Sequence, residues 1–356
     1  MRLDSITLHE VALTRSDGGT GEALIVQASH EEHHGWSEIA IGPTPWHGTE
    51  FFDSAWLFAS TYAIPELIER PPVHPSGTGI RLERLRGHPR TRMALELALW
   101  DLYSRTHALP MLDALGGGHQ NLTFSAKLKI QDTLQDLEKL ADSALDRGAS
   151  VLHVAIRPGW DIDPLAALRS RFPLVRIVAD AHGSFDPSES RILASLDQYG
   201  IECLLEPFSP DDTTATTLLA KNADSNIWVR VRNERDLANA PHAHVAGLLI
   251  DGDAFGGFRP LLDVATFCLE HGLLGALAPS GATVLSAGHT ALLAAATGLD
   301  VGPLAHYFGQ WGRDIVKPGW KPGKLGLDLP TGSGTGLTVD RPYLQRQTRR
   351  TEVITA

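Results

Sequence analysis

The residues most able to do chemistry in this 356-residue chain are charged groups at the ends of short apolar runs. Asp180 closes RIVAD, Glu206 closes IECLLE, and Asp251 follows VAGLLI. Arg230 and Arg232 alternate through WVRVR, while Lys127 and His153 lie within SAKLKI and VLHVAI. Brought together, such groups serve proton transfer. Glu206 is the leading proton carrier, with Asp180 and Asp251 as its partners. His153 titrates near neutrality in water and suits a proton shuttle. Lys127 offers a positive charge or a nucleophilic amine, and Arg230 an anion-binding fork. Each also has a plainer reading, as an ion pair or a hydrogen-bonded wall residue inside a barrel mouth.

Positioning them requires a repeating scaffold, and from residue 122 onward the sequence supplies one. Strands at 122–130, 151–157, 176–181, 201–206, 227–231, 245–251 and 273–278 alternate with helical stretches. That alternation implies parallel pairing, and seven such units imply an α/β class (β/α)7β barrel with its site at the strand C-terminal ends. Period two places Ser125, Lys127 and Lys129 on the inward face of the first strand, with Phe124, Ala126 and Leu128 outward. In the second, His153, Ala155 and Arg157 oppose the apolar Leu152, Val154 and Ile156. Ahead of the barrel, 2–14 and 23–41 read as strands, joined by a mobile loop at Ser16–Gly19. A loop at 43–48 exposes Trp46, and helical spacing covers 50–68 and 89–107. The glycine-rich turn 331–336 is no phosphate loop, since no Lys-Ser/Thr ends it and no helix follows. The last dozen residues read as a frayed tail. Glu31-Glu32-His33-His34 reads as a solvated turn rather than a metal cluster.

The stretch 151–161, VLHVAIRPGWD, resembles the second barrel strand of the enolase superfamily, in the branch of o-succinylbenzoate synthases and N-succinylamino acid racemases. There a Lys-x-Lys pair precedes a Pro-Gly-Trp-Asp turn; here the turn is kept and His153 and Ala155 stand at the lysine positions. Further matches are the Trp100 helix, Asp180, Glu206-Pro207, Gly256-Gly257 and the 330–336 turn. The resemblance covers nearly the whole chain. It implies an N-terminal α+β capping domain (1–115, completed by 320–356) over a modified TIM barrel (116–319), and a homo-oligomer. The family reaction removes a proton α to a carboxylate, holds the enediolate on Mg²⁺ bound by three carboxylates, and uses lysines as acid and base. Asp180 and Glu206 match two of the ligands. The third position falls on Arg230, or on Val231 if the register slips by one, and the strand-six lysine on Asp251. A guanidinium repels the ion rather than holding it, so the expectation is no metal and no other cofactor.

Composition sets the outer bounds. A net charge of −11 disfavours general nucleic-acid or anionic-membrane partners. The absence of a spanning apolar run or leader points to the cytoplasm. Cys203 and Cys268, without CxxC spacing, read as inert buried thiols. The partner expected is a small-molecule substrate, bound by Arg230, Arg232, Trp46, Phe51 and Ser280. The functional expectation is a metal-independent acid/base enzyme performing a cyclisation, condensation, isomerisation or lyase step. The alternative is a small-molecule-binding pseudoenzyme. A working Mg-dependent racemase or o-succinylbenzoate synthase stands third, because it requires lysines that are absent.

Overall fold

The computed structural model describes residues 2–46, 48–118, 121–317, 320, 323 and 326–355; the expected domain boundary at 319 lies outside them. Two sheets organise the chain. The first is antiparallel, in the order β12-β1-β2-β3, from β1 (Ser5–Thr14), β2 (Thr20–His30), β3 (His33–Ile39) and β12 (Thr348–Thr355). The second holds eight parallel strands in sequence order: β4 (Ser125–Leu128), β5 (Val151–Ala155), β6 (Arg176–Asp180), β7 (Cys203–Leu205), β8 (Asn226–Val231), β9 (Gly247–Ile250), β10 (Leu274–Leu277) and β11 (Asp300–Val301). This sheet curls on itself. Thr123 spans its two edges by donating from N and Oγ1 to the Asp300 carboxylate at 2.9 and 2.5 Å. Residues from all eight strands line one internal cavity of about 100 Å³.

Alternation sorts each barrel strand into two cores. Phe124, Ala126, Leu128, Leu152 and Val154 face the surrounding helices. Val151, Val178, Cys203, Leu205 and Leu249 fill the interior with Trp228. The helix Pro89–Thr106 joins the two sheets because it is apolar on two faces. Ala94, Leu95, Ala98, Leu99 and Leu102 enter the cap core, while Met93, Leu97 and Trp100 enter the barrel core. It lies directly on β3 at Gly35, where a Cβ would stand 2.2 Å from Ala98 O and Leu102 N. One buried acid of the cap ties it to the barrel, and a second ties β3 to the C-terminal segment. Glu38 accepts from Ala282 N (2.5 Å) and from Thr283 N and Oγ1 (2.9 and 2.6 Å). Asp101 accepts from Trp36 N and Thr335 N at 2.8 and 2.7 Å.

Several local expectations need correction. The run 23–41 is a hairpin, β2 and β3, because Glu31 takes φ 52° in a two-residue turn. The Ser16–Gly19 loop is hydrogen-bonded rather than loose: Arg15 N donates to Gly19 O at 2.7 Å and Ser16 N to Gln310 O at 3.0 Å. The C-terminal tail is not frayed; its residues form β12, paired antiparallel with β1 from Thr348 to Thr355. Among the described residues, no helix is long and apolar enough to cross a membrane.

Candidate active site

The charged groups converge where the barrel strands end beneath the cap. Arg230, inward on β8, is four-fifths buried and sits between two carboxylates. Its Nε lies 3.6 Å from Glu206 Oε2, and its Nη1 donates to Asp251 Oδ1 at 3.3 Å. Val231 is fully buried among the outer apolar residues, so the register places Arg230, not Val231, in the interior. Arg232, two residues on and on the same face, donates from Nη2 to Glu206 Oε1 at 2.5 Å. Arg90 reaches the other Asp251 oxygen at 3.5 Å from the cap side. The result is a continuous chain, Arg232–Glu206–Arg230–Asp251–Arg90.

Asp180, at the end of β6, is 3% exposed, and burial raises its carboxyl above the usual range against the opposing pull of Lys127 and Arg230. His182 Nε2 lies 3.2 Å from Asp180 Oδ2, and its backbone N donates to Oδ1 at the same distance. The imidazole is pushed down to about 4, first by burial and then by Lys127 and Arg230, so it faces Asp180 as a neutral donor near neutrality. His182 and Glu206 both take left-handed backbone, φ 50° and 51°, locked by Gly183 N donating to Glu206 O at 2.7 Å. Non-glycine residues in that region are held there by their surroundings and concentrate at functional sites.

Lys127, on β4, is half-buried, and burial followed by repulsion from Arg230 and Lys129 lowers its amine despite Asp180 and Glu206. It has no ion-pair or hydrogen-bond partner among the described residues. Lys129 lies past the strand and is exposed. His153 sits below the mouth, beside the internal cavity, with Ser125. Burial pushes its imidazole down to about 3, removing the near-neutral titration that recommended it as a shuttle. Its Nδ1 and Ser125 Oγ have no hydrogen-bond partner among the described residues.

A cleft of about 660 Å³ opens above, between the cap loop around Gly42–Glu50, Pro89 and Arg90, and the barrel residues Arg230, Arg232, Asp251 and Ser280. Glu206 and Asp180 do not line it; each is under 5% exposed, Glu206 behind Arg230 and Arg232 and Asp180 against His182. Ser280 lines the cleft and donates to Asp253, a buried acid whose carboxyl is raised by burial. The expected cap contacts are displaced. Trp46 is 80% exposed and outside the cleft wall, and Phe51 bridges Gly42 at the start of a helix. Glu50, between them, lines the cleft and accepts from Arg90 N and Thr91 N at 3.0 and 3.1 Å. Sequence reasoning missed Glu50 and Arg90, since neither stands at a strand end and only the fold brings Arg90 onto Asp251 and Glu50 into the same cleft.

The donor set does not suit magnesium. Both Glu206 oxygens face guanidinium groups, Asp180 faces an imidazole, and the third position carries a cation. Among the described residues no three His, Cys, Asp or Glu side chains converge in a way that could hold a metal ion.

Comparison with known proteins accords with the architecture. A family described as enolase C-terminal domain-like matches residues 127–343. The chain belongs to that family. An o-succinylbenzoate synthase from Geobacillus kaustophilus is 27% identical over 322 residues, covering 88% of this chain and 85% of the relative. An N-succinylamino acid racemase from Thermus thermophilus is 24% identical over 339 residues, covering 91% and 89%. A solved enolase-superfamily member from Listeria innocua superposes with a TM-score of 0.89 at 24% identity, covering 100% of this chain and 99% of the other. The enolase-superfamily scaffold expected from the 151–161 stretch is therefore the scaffold observed. This member places Arg230 between Glu206 and Asp251.

Proposed function

We propose that this protein is a metal-independent acid/base enzyme built on the enolase scaffold, with Arg230 standing where a divalent cation would otherwise neutralise the strand-end carboxylates. The observation that carries this reading is the guanidinium of Arg230 bridging Glu206 and Asp251. A cation fixed by the chain offsets negative charge without needing open coordination positions. In this reading a small metabolite enters by the cleft lined by Arg230, Arg232, Asp251 and Ser280 and extends past it to Asp180 and Lys127. Asp180 and Lys127, whose affinities for a proton are pushed toward each other by burial, exchange it. Glu206, expected to lead proton transfer, instead anchors the two arginines, and becomes a carrier only when the partly exposed Arg232 swings away. The reaction class is a cyclisation, condensation, isomerisation or lyase step. The proposal includes a cap of 1–115 with 320–356, a barrel of 116–319, a cytoplasmic setting and a homo-oligomer, whose mass light scattering measures.

One observation favours a binding protein instead: Glu206 and Asp180 are buried and do not line the cleft. The test is a screen of small carboxylate and carbonyl metabolites in excess chelator, by calorimetry for binding and by NMR for turnover. Chelator-resistant turnover supports the enzyme; tight binding without turnover supports the binding protein. Formation of o-succinylbenzoate that appears only with added Mg²⁺ would favour the activity named for the relatives.

A further inference from the structure

We propose that Lys127 is a nucleophilic amine that captures the carbonyl carbon of an aldehyde or ketone substrate as an imine. The inference rests on the metal-free reading above and names what replaces the metal as an electrophile. Lys127 projects from β4 into the interior that Asp180, Glu206 and Arg230 also face, yet it has no ion-pair or hydrogen-bond partner among the described residues. Of the two acids whose charge it feels, Glu206 is bound to the guanidinium groups of Arg230 and Arg232, and Asp180 lies against the His182 imidazole. Burial favours the neutral form of this half-buried amine and lowers its proton affinity, against the opposing charges of Asp180 and Glu206, neither of which reaches it as an ion pair.

The chemistry balances with the groups present. The Lys127 Nζ lone pair forms the C–N bond while the carbonyl π pair moves to oxygen, which takes a proton. The nitrogen releases a proton, and protonation of the hydroxyl lets it leave as water. Asp180, buried with a raised carboxyl and oriented by His182, is the neighbouring group able to give and retake that proton. The product is an iminium ion, formed without oxidant or reductant. It draws electrons from the adjacent carbon and so eases loss of its proton.

The test is reductive trapping of the full-length protein at pH 7 with sodium cyanoborohydride and, separately, pyruvate and propionaldehyde, mapped by peptide mass spectrometry. The expected result is an adduct on Lys127 before any appears on the exposed Lys129, Lys139 or Lys221, its loss in Lys127→Arg, and slower formation in Asp180→Asn. Labelling of the surface lysines at the same rate as Lys127, or an undiminished early adduct in Lys127→Arg, would overturn the proposal. Wild-type protein compared with its own surface lysines suffices if a variant fails to fold. Repeating the trapping with chelator separates the two readings. Chelator-resistant turnover without a Lys127 adduct sinks the imine and leaves the metal-free enzyme standing. An adduct on Lys127 in a protein that needs Mg²⁺ for turnover keeps the reactive amine and sinks the metal-free reading.

Discussion

Arg230 is the residue on which the site depends, because it is the cation shared by Glu206 and Asp251. Removing one partner of a buried ion pair leaves an uncompensated charge, which costs about 3–5 kcal/mol when burial is complete. Arg232 remains on Glu206 and Arg90 on Asp251, so Arg230→Ala is expected to lose roughly 2–3 kcal/mol in urea unfolding. Arg230→Lys should recover only part of this, since a point charge cannot reproduce the fork that spans both acids. An unchanged midpoint in the Ala variant would show that Arg230 is not coupled to its neighbours. If the protein is an enzyme, Glu206→Gln should lower turnover by roughly 10²-fold or more, because the anchor for Arg230 and Arg232 loses its charge. Nearly intact turnover in that variant would remove Glu206 from the machinery.

At the scale of elements, two features of the helix Pro89–Thr106 give separate tests. A Cβ on Gly35 would meet the helix backbone at 2.2 Å, so Gly35→Ala should cost more than about 3 kcal/mol through overpacking, read as a fall in Tm. Glu96, buried on the same helix, accepts from Trp100 Nε1 and Phe258 N on one oxygen, and burial raises its carboxyl to about 7. Its folded value lies above its unfolded one, so the native state binds the extra proton. Stability from this group therefore falls as pH rises from about 4.5 to about 7. Glu96→Gln keeps the accepting oxygen and removes the ionisation. The variant should gain on the order of 1–3 kcal/mol relative to wild type at pH 7.5 compared with pH 5; a constant difference across that range would contradict the assignment. Much of this level was legible in the sequence. The alternation around Ala126 and Leu128 and around Leu152 and Val154 gave the faces of the first two barrel strands, and so the inward side of Lys127, while the choice between Arg230 and Val231 stayed open until the register was seen. The hairpin at Glu31 was not legible, because a non-glycine residue adopts the left-handed turn. Nor was β12, whose polar, exposed residues carry no strand periodicity and are held by pairing with β1. Arg90 and Glu50 lie far from Asp251 in sequence; packing of cap on barrel brings Arg90 onto Asp251 and Glu50 into the same cleft.

The whole molecule combines buried acids that resist ionisation with buried imidazoles that resist protonation. Glu38 and Glu96 are raised to about 7, while His153 and His289 are lowered to about 3 and about 4. The imidazoles withdraw stability as pH falls below their unfolded value of 6.5, and the acids withdraw it as pH climbs from 4.5 toward 7. The opposing slopes overlap between those values, so thermal stability should be flat there and decline on either side. A monotonic rise in Tm from pH 5 to pH 8 would contradict this balance. In the proposed function a fixed guanidinium network stands where a divalent cation would. Calorimetric titration of Mg²⁺ into chelator-treated, dialysed protein tests it most directly. The expected result is no saturable heat through the millimolar range; stoichiometric binding that Asp180→Asn abolishes would show that the strand-end carboxylates hold a metal after all.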